Sequence, residues 1–183
     1  MNIVVLVGSL RKESYNMQLA KTMQKRYKEK MNLEIADIRS LPHFDQDEEN
    51  NPPQSVKEFK EAVSNADGVV IITPEYNWSI PGVLKNALDW ASRVDKVFIG
   101  KPVMALGATM GMLGTVRAQM HLREILDAPG IQARILPPGG NEVLIGFAHQ
   151  KFDEQSGQLV DEGTLNFLDS KVEAFIDFVK SQN

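Results

Sequence analysis

Apolar residues crowd into five short runs, at residues 3–7, 33–36, 68–72, 103–106 and 131–136. The most continuous of them, such as IVVLV and GVVII, are rich in β-branched residues and lack the polar alternation of a strand with one wet face. They predict strands buried on both sides. Between the runs, apolar residues recur at three- and four-residue spacing. Ala20, Met23 and Tyr27 make one stripe, Val56, Phe59, Val63 and Ala66 a second, Leu84, Leu88 and Ala91 a third, and Ala118, Leu122, Ile125 and Leu126 a fourth. A fifth stripe, Leu165, Leu168, Val172, Phe175, Ile176 and Val179, has the pattern of a helix laid on a sheet. Strand and helix thus alternate five times. Right-handed crossovers then give a doubly wound, five-stranded parallel sheet with helices on both faces, a three-layer sandwich. The chain has 183 residues and neither an internal repeat nor a low-complexity linker, so one domain over residues 1–183 is expected.

Composition narrows the function classes. The absence of cysteine excludes disulfides, thiolate metal sites and thiol nucleophiles, so any redox chemistry must be a cofactor's. A net charge of -4 and a pI near 5.4 argue against a nucleic-acid partner. No apolar run approaches the roughly 18 residues that span a bilayer, and the start MNIVVLVGSL reads as a strand rather than a leader, so a cytoplasmic protein without membrane attachment is expected. The acidic stretch 43–54 reads as a solvated loop; it lacks the turn glycine and distal glutamate of a calcium loop, and no metal site is expected.

Two polar clusters sit where strands end. GSLRKESYN, residues 8–16, follows the first aliphatic run. In an open parallel sheet ligands bind at the C-terminal strand ends. Gly8 permits a tight exit, Ser9, Ser14 and Asn16 offer short polar side chains, Arg11 offers a planar fork, and the next helix presents its positive end. The spacing is neither G-x-G-x-x-G nor a P-loop and suits a monophosphate. The same residues also suit a plain helix cap with a solvated arginine. TPEYNWSIPG, residues 73–82, follows the third run. Tyr76 and Trp78 suit the flanks of a flat conjugated ligand and Glu75 and Asn77 its polar edge, although both rings would also serve to plug the gap between loop and sheet.

These two motifs together, GSLRKESYN and TPEYNWSIPGVLKNALDW, closely resemble the NADPH-dependent FMN reductase family of flavodoxin-like proteins, and in particular its bacterial quinone, chromate and azo-dye reductases. Gly100-Lys101-Pro102, ATMGMLGTVRAQMHLREIL (residues 108–126) and GQLVDEGTLNFL (residues 157–168) extend the resemblance along almost the whole chain. It implies that Ser9, Arg11, Ser14 and Asn16 hold the phosphate of FMN. It also implies that Pro74, Glu75, Tyr76, Asn77 and Trp78 lie beside the isoalloxazine, with Thr109 and Gly111 at its other edge. The chain departs from common members at Trp78 and Met120, where tyrosine is frequent, and at Gly114-Thr115-Val116-Arg117, positions that bear on substrate preference and subunit contact.

The expected activity is that of a flavoprotein oxidoreductase drawing on NADPH or NADH and delivering electrons to quinones, azo- or nitro-aromatics or oxidised metal ions such as chromate. Such chemistry belongs to FMN and requires no catalytic side chain. A flavodoxin-like electron carrier without nicotinamide turnover is the alternative. No ribose-reading carboxylate or phosphate-reading arginine stands out to choose between the two nicotinamides. His43, His121 and His149 are scattered, without metal or triad spacing, and are expected to be structural or solvated; Ser9 and Ser79 lie outside a G-x-S-x-G elbow. Met110, Met112 and Met120 suit either packing or an adaptable pocket. Large apolar groups at Trp78 and residues 110–113 predict a homodimer or homotetramer, with the contact on the outward faces of the helices at 83–92 and from 115, including Arg93 and Arg117.

Overall fold

The computed structural model describes residues 1–182. Strands β1 (Asn2–Val7), β2 (Asn32–Ile35), β3 (Gly68–Ile72), β4 (Pro102–Ala108), β5 (Arg134–Ile135) and β6 (Val143–Ile145) pair in parallel, in the order β2-β1-β3-β4-β5, with β6 also on β4. Helices α1 (Tyr15–Arg26), α2 (Gln54–Asn65), α3 (Gly82–Ala91), α4 (Val116–Asp127) and α5 (Glu162–Lys180) complete the doubly wound three-layer sandwich expected from the alternation, which is the flavodoxin-like fold that the resemblance implies.

Two cores explain the unbroken apolar strands. Val5, Val7, Val70, Ile72 and Met104 point to one face, where Leu19 and Met23 of α1 and Val172 and Phe175 of α5 cover them. Their neighbours Val4, Leu6, Val69, Ile71 and Val103 point to the other, under Val56 and Phe59 of α2, Leu84 and Trp90 of α3, and Leu122 of α4. Successive strand side chains alternate faces, so two covered faces demand continuous hydrophobicity.

The fifth position of the sheet departs from the sequence reading. One strand was expected over residues 131–136, whereas two short ones share the β4 edge: Arg134 and Ile135 pair with Pro102 and Val103, and Val143 to Ile145 pair with Leu106 to Ala108. Pro137 and Pro138 lack the N–H a ladder needs, so the chain leaves the sheet and returns after residue 142. The acidic segment is ordered by its own side chains. A 3-10 turn at Gln46–Glu48 is capped by Asp45, which accepts from the Asp47 N–H at 3.0 Å, and Glu49 accepts from Arg93 Nε at 2.7 Å.

Candidate functional site

The strand order reverses between β1 and β3, where a doubly wound sheet leaves a crevice at its carboxyl end. A cleft of about 400 Å³ opens there, walled by the segments that follow β1, β3 and β4. Ser9, Arg11, Ser14 and Asn16 come from the first, Pro74, Glu75 and Tyr76 from the second, and Thr109 from the third; Tyr15, Ala108 and Met110 join them. Each strand is prolonged to the lip by one more ladder bond, from Gly8 N–H to Ile72 O, Thr73 N–H to Leu106 O and Thr109 N–H to Ile145 O, all 2.9 Å. The three loops therefore leave from a common, rigid rim.

The β1 segment has the character of an anion cradle. Ser14 caps α1, accepting from Met17 N–H at 3.4 Å, and the first-turn N–H groups of Tyr15 and Asn16 have no partner within the helix. No carboxylate occupies that turn, so nothing within the 12-residue helix opposes its positive end. Ser9 and Ser14 are buried in the cleft wall, and Arg11 stands exposed with its guanidinium 5.8 Å from the Tyr15 ring. These groups match the donors a phosphate monoester requires. Asn16 does something else with its side chain. Its amide donates to Ala108 O at 3.0 Å and accepts from Ala108 N–H at 2.9 Å, which locks α1 to β4 and leaves only its backbone N–H for an anion.

The β3 segment is arranged by its own turn and by contacts to α4. Tyr76 and Ser79 exchange both backbone hydrogen bonds at 3.0 Å, closing a two-residue turn whose central residues, Asn77 and Trp78, have φ of 52° and 64°. Positive φ at both positions belongs to the mirror-image hairpin turn, normally filled by Asn-Gly. Asn77 and Trp78 thereby form the tip and do not line the cleft; Trp78, 70% exposed, stacks with Arg117, whose guanidinium carbon lies 4.4 Å from the ring centroid. Glu75 lies at the cleft wall, yet its carboxylate accepts from the Arg117 and Ala118 N–H groups at 2.9 and 3.1 Å. It thus caps α4, whose own cap residue, Thr115, has φ of 68° and gives no side-chain capping bond, its Oγ1 accepting instead from Gln119 Nε2 at 3.1 Å. Ser79 Oγ meets His121 Nδ1 at 2.7 Å, so one of the scattered histidines ties the turn to α4.

Opposite, the loop after β4 is clipped to the chain after β6 by bonds from Phe147 N–H to Gly111 O at 3.1 Å and Ala148 N–H to Thr109 O at 2.9 Å. Thr109 lines the cleft, whereas Gly111 lies outside it. Gly114 and Gly146 are obligatory here, because a Cβ at either would stand 2.6 Å from backbone of Leu144 or Met112.

A cleft that gathers Ser9, Arg11 and Ser14 with Tyr76 and Met110 agrees with what the sequence matches. The model of the NADPH-dependent FMN reductase family covers residues 1–150. The chain belongs to that family. The quinone reductase of Escherichia coli (strain K12) is 40% identical over 184 residues, spanning 98% of this chain and 96% of that one. A subunit of the NADH:(hydroxy)cinnamate reductase of Vibrio ruber is 41% identical over 180 residues, spanning 98% of this chain and 88% of its own. Among solved structures, the flavoenzyme NAD(P)H:(acceptor) oxidoreductase FerB of Paracoccus denitrificans superimposes with a TM-score of 0.88 at 34% identity, covering 99% of this chain and 98% of that one. The protein is therefore an NAD(P)H-dependent oxidoreductase of the FMN reductase type, working with FMN and a nicotinamide donor, and the carrier alternative falls away. Among the described residues, no helix is long and apolar enough to cross a membrane.

Proposed function

We propose that the cleft between the three loops is the FMN site, and that one open face of it serves donor and acceptor in turn. The observation that carries this reading is the α1 N-terminus, with no carboxylate in its first turn and flanked by Ser9, Ser14 and Arg11, at the switch point of the sheet. When bound, FMN supplies the hydride and electron chemistry. Ser9 and Ser14 would donate hydroxyls and Tyr15 and Asn16 backbone N–H groups to its phosphate, while Arg11 would close over it from solvent. Pro74, Tyr76, Thr109 and Met110 would confine the ring. Glu75 and Asn16 act through the backbone, the first by fixing α4 and the second by fixing the spacing of α1 and β4. Asn77, Trp78 and Gly111 form the rim, where they bear on what reaches the ring.

No side chain in the cleft need act as acid or nucleophile, so acceptor choice follows from what fits the open face. Quinones, azo- and nitro-aromatics and oxidised metal ions such as chromate fit that description, and the enzyme serves them as one cytosolic domain over residues 1–183. Donor and acceptor cannot occupy one face together, so double-reciprocal plots with NADPH and a quinone varied should be parallel; intersecting lines with a ternary complex at equilibrium would overturn the shared face.

Assembly into a homodimer, or a tetramer of dimers, belongs to the same reading. Trp78, Met110, Met112, Leu113, Met120 and Phe147 are all exposed apolar side chains on the cleft's rim or on α4. A two-fold mate would cover them and close one wall of the pocket. Arg117 belongs with that patch through Trp78, whereas Arg93 is engaged within the chain by Glu49 and Phe44. Light scattering on dilute protein checks it: a stable, fully active monomer would overturn the assembly.

A further inference from the structure

β2 stands at the end of the sheet, with β1 on one side and no strand on the other. Asn32 and Ala36 send their N–H groups to Met1 O and Val5 O at 2.9 and 3.0 Å. Alternate residues of a parallel strand turn to opposite neighbours, so the N–H groups and carbonyls of Leu33 and Ile35 lie along the outer edge. Gln24 Nε2 donates to Leu33 O at 2.7 Å and satisfies that carbonyl. Among the described residues, neither a strand nor a side chain supplies a partner for the Leu33 N–H or for the N–H and carbonyl of Ile35.

A furrow runs beside this edge. Leu33 and Ile35 turn their side chains to the α1 face of the sheet, and Glu34 turns to the other, toward α2. Two hollows, of about 410 and 310 Å³, lie end to end between β2 and α2, one reaching Asn32 and the other Asp37, and both are lined by Glu34, Glu58 and Ala62. Glu61 joins the first, and no lysine, arginine or histidine lines either. Glu34, Asp37, Glu58 and Glu61 are exposed, and among the described residues none of them forms an ion pair. The Glu58 carboxylate accepts from Gln54 Nε2 at 2.9 Å, and that of Asp37 from the Arg39 and Ser40 N–H groups at 3.0 and 3.4 Å.

We infer that this edge and its furrow are a docking surface for an extended, basic segment of another protein. The segment adds a strand to β2, pairing with the Leu33 and Ile35 N–H groups and the Ile35 carbonyl, and its alternate lysine or arginine side chains fall on the furrow side, over Glu34 and Glu58. Charge complementarity selects this occupant. A second copy of the chain would set Glu34 against Glu34 across a two-fold axis, which like charges oppose. A guard against such self-pairing needs a charge on the strand, whereas here the carboxylates continue onto α2. The surface shares no residue with the cleft lining, so the inference does not depend on where FMN sits.

The test titrates the FMN-loaded full chain into a capped, fluorophore-labelled peptide of alternating lysine and valine, and follows anisotropy together with backbone amide exchange. Binding should slow exchange at the Leu33 and Ile35 amides, weaken as salt is raised, and fall by roughly tenfold or more in the Glu34→Lys, Glu58→Lys double variant. Unchanged FMN content and thermal unfolding show that the variant is folded. A peptide of alternating glutamate and valine should not bind, and the lysine peptide N-methylated at alternate positions, with its charge intact, should bind far more weakly. Equal binding of the N-methylated peptide would reduce the furrow to a non-specific ionic contact and overturn the inference. Binding that leaves the Leu33 and Ile35 amides unprotected would overturn it as well, as would no binding at all. Protection of those amides in the absence of peptide would assign the edge to a second copy instead.

Discussion

Replacing Glu75 by alanine separates the role the structure gives this residue from the one its place in the loop suggests. Its carboxylate receives two first-turn N–H groups of α4 at 2.9 and 3.1 Å, and α4 has no side-chain cap of its own. Loss of a cap costs about 0.5–2 kcal/mol, and loss of a negative charge at a helix N-terminus a further 0.3–1. Glu75 is only half-buried, which favours the lower part of that range. A total of about 1–2 kcal/mol should lower Tm by about 2–8 °C in a chain of this size. Glu75→Gln keeps an acceptor and loses the charge, so it should lose less than half as much. The assay is thermal unfolding of the apoprotein, because bound flavin would add its own stabilisation, with FMN affinity measured beside it by flavin fluorescence quenching. An unchanged Tm together with a large loss of both FMN and riboflavin affinity would refute the capping role and return Glu75 to the ring.

Three other outcomes follow from particular contacts. Arg11→Ala should weaken FMN by roughly tenfold to a hundredfold while leaving riboflavin nearly unaffected, since one charged donor to phosphate is lost; equal losses in fluorescence titrations would remove Arg11 from the cradle. Gly107→Ala should destabilise the fold by at least about 1–3 kcal/mol in denaturant unfolding, because its Cβ would stand 2.2 Å from Thr73 O and 2.3 Å from Thr115 Oγ1; a neutral change would mean that β4 and its neighbours shift freely. The hydrogen bond from Arg26, helped by Tyr27, holds the Asp169 carboxyl below the ordinary carboxylate range. That contribution is present above the unfolded value of about 3.9 and is lost as pH falls through the lower folded value. Asp169→Asn should therefore flatten the acid limb of the stability curve below about pH 4, and an unaltered limb in urea titrations would contradict it.

The sheet and its five helices were legible because burial on both faces leaves a period-free apolar strand and a clear helical stripe, signals carried by every residue of the element. The broken fifth strand was not, although Pro137 and Pro138 marked where pairing had to stop: β6 is only three residues long and its partner lies on β4. At the site, the three cleft-forming segments were readable as polar clusters at strand ends, and Ser9, Arg11, Ser14, Pro74, Tyr76 and Thr109 do meet in one cleft. What escaped were side chains spent on distant backbone. Asn16 reaches Ala108 across 92 positions and Glu75 reaches Arg117 across 42, and no local pattern announces either. The outward placement of Trp78 has a different origin, since a left-handed backbone at both turn residues puts its ring against Arg117. Tyr15, Ala108 and Met110 entered the wall because the helix start and the β4 end lie flush with it, a matter of register rather than residue type.

The central claim, that this cleft holds an FMN through which NAD(P)H reduces a small acceptor, is tested most directly by following the visible flavin absorbance of the FMN-loaded protein under anaerobic titration with NADPH. The account predicts that the band bleaches with one equivalent of NADPH and returns when a quinone is added, and that Arg11→Ala retains far less FMN to bleach. A flavin band that NADPH leaves untouched, or a bleached band that no quinone restores, would contradict it.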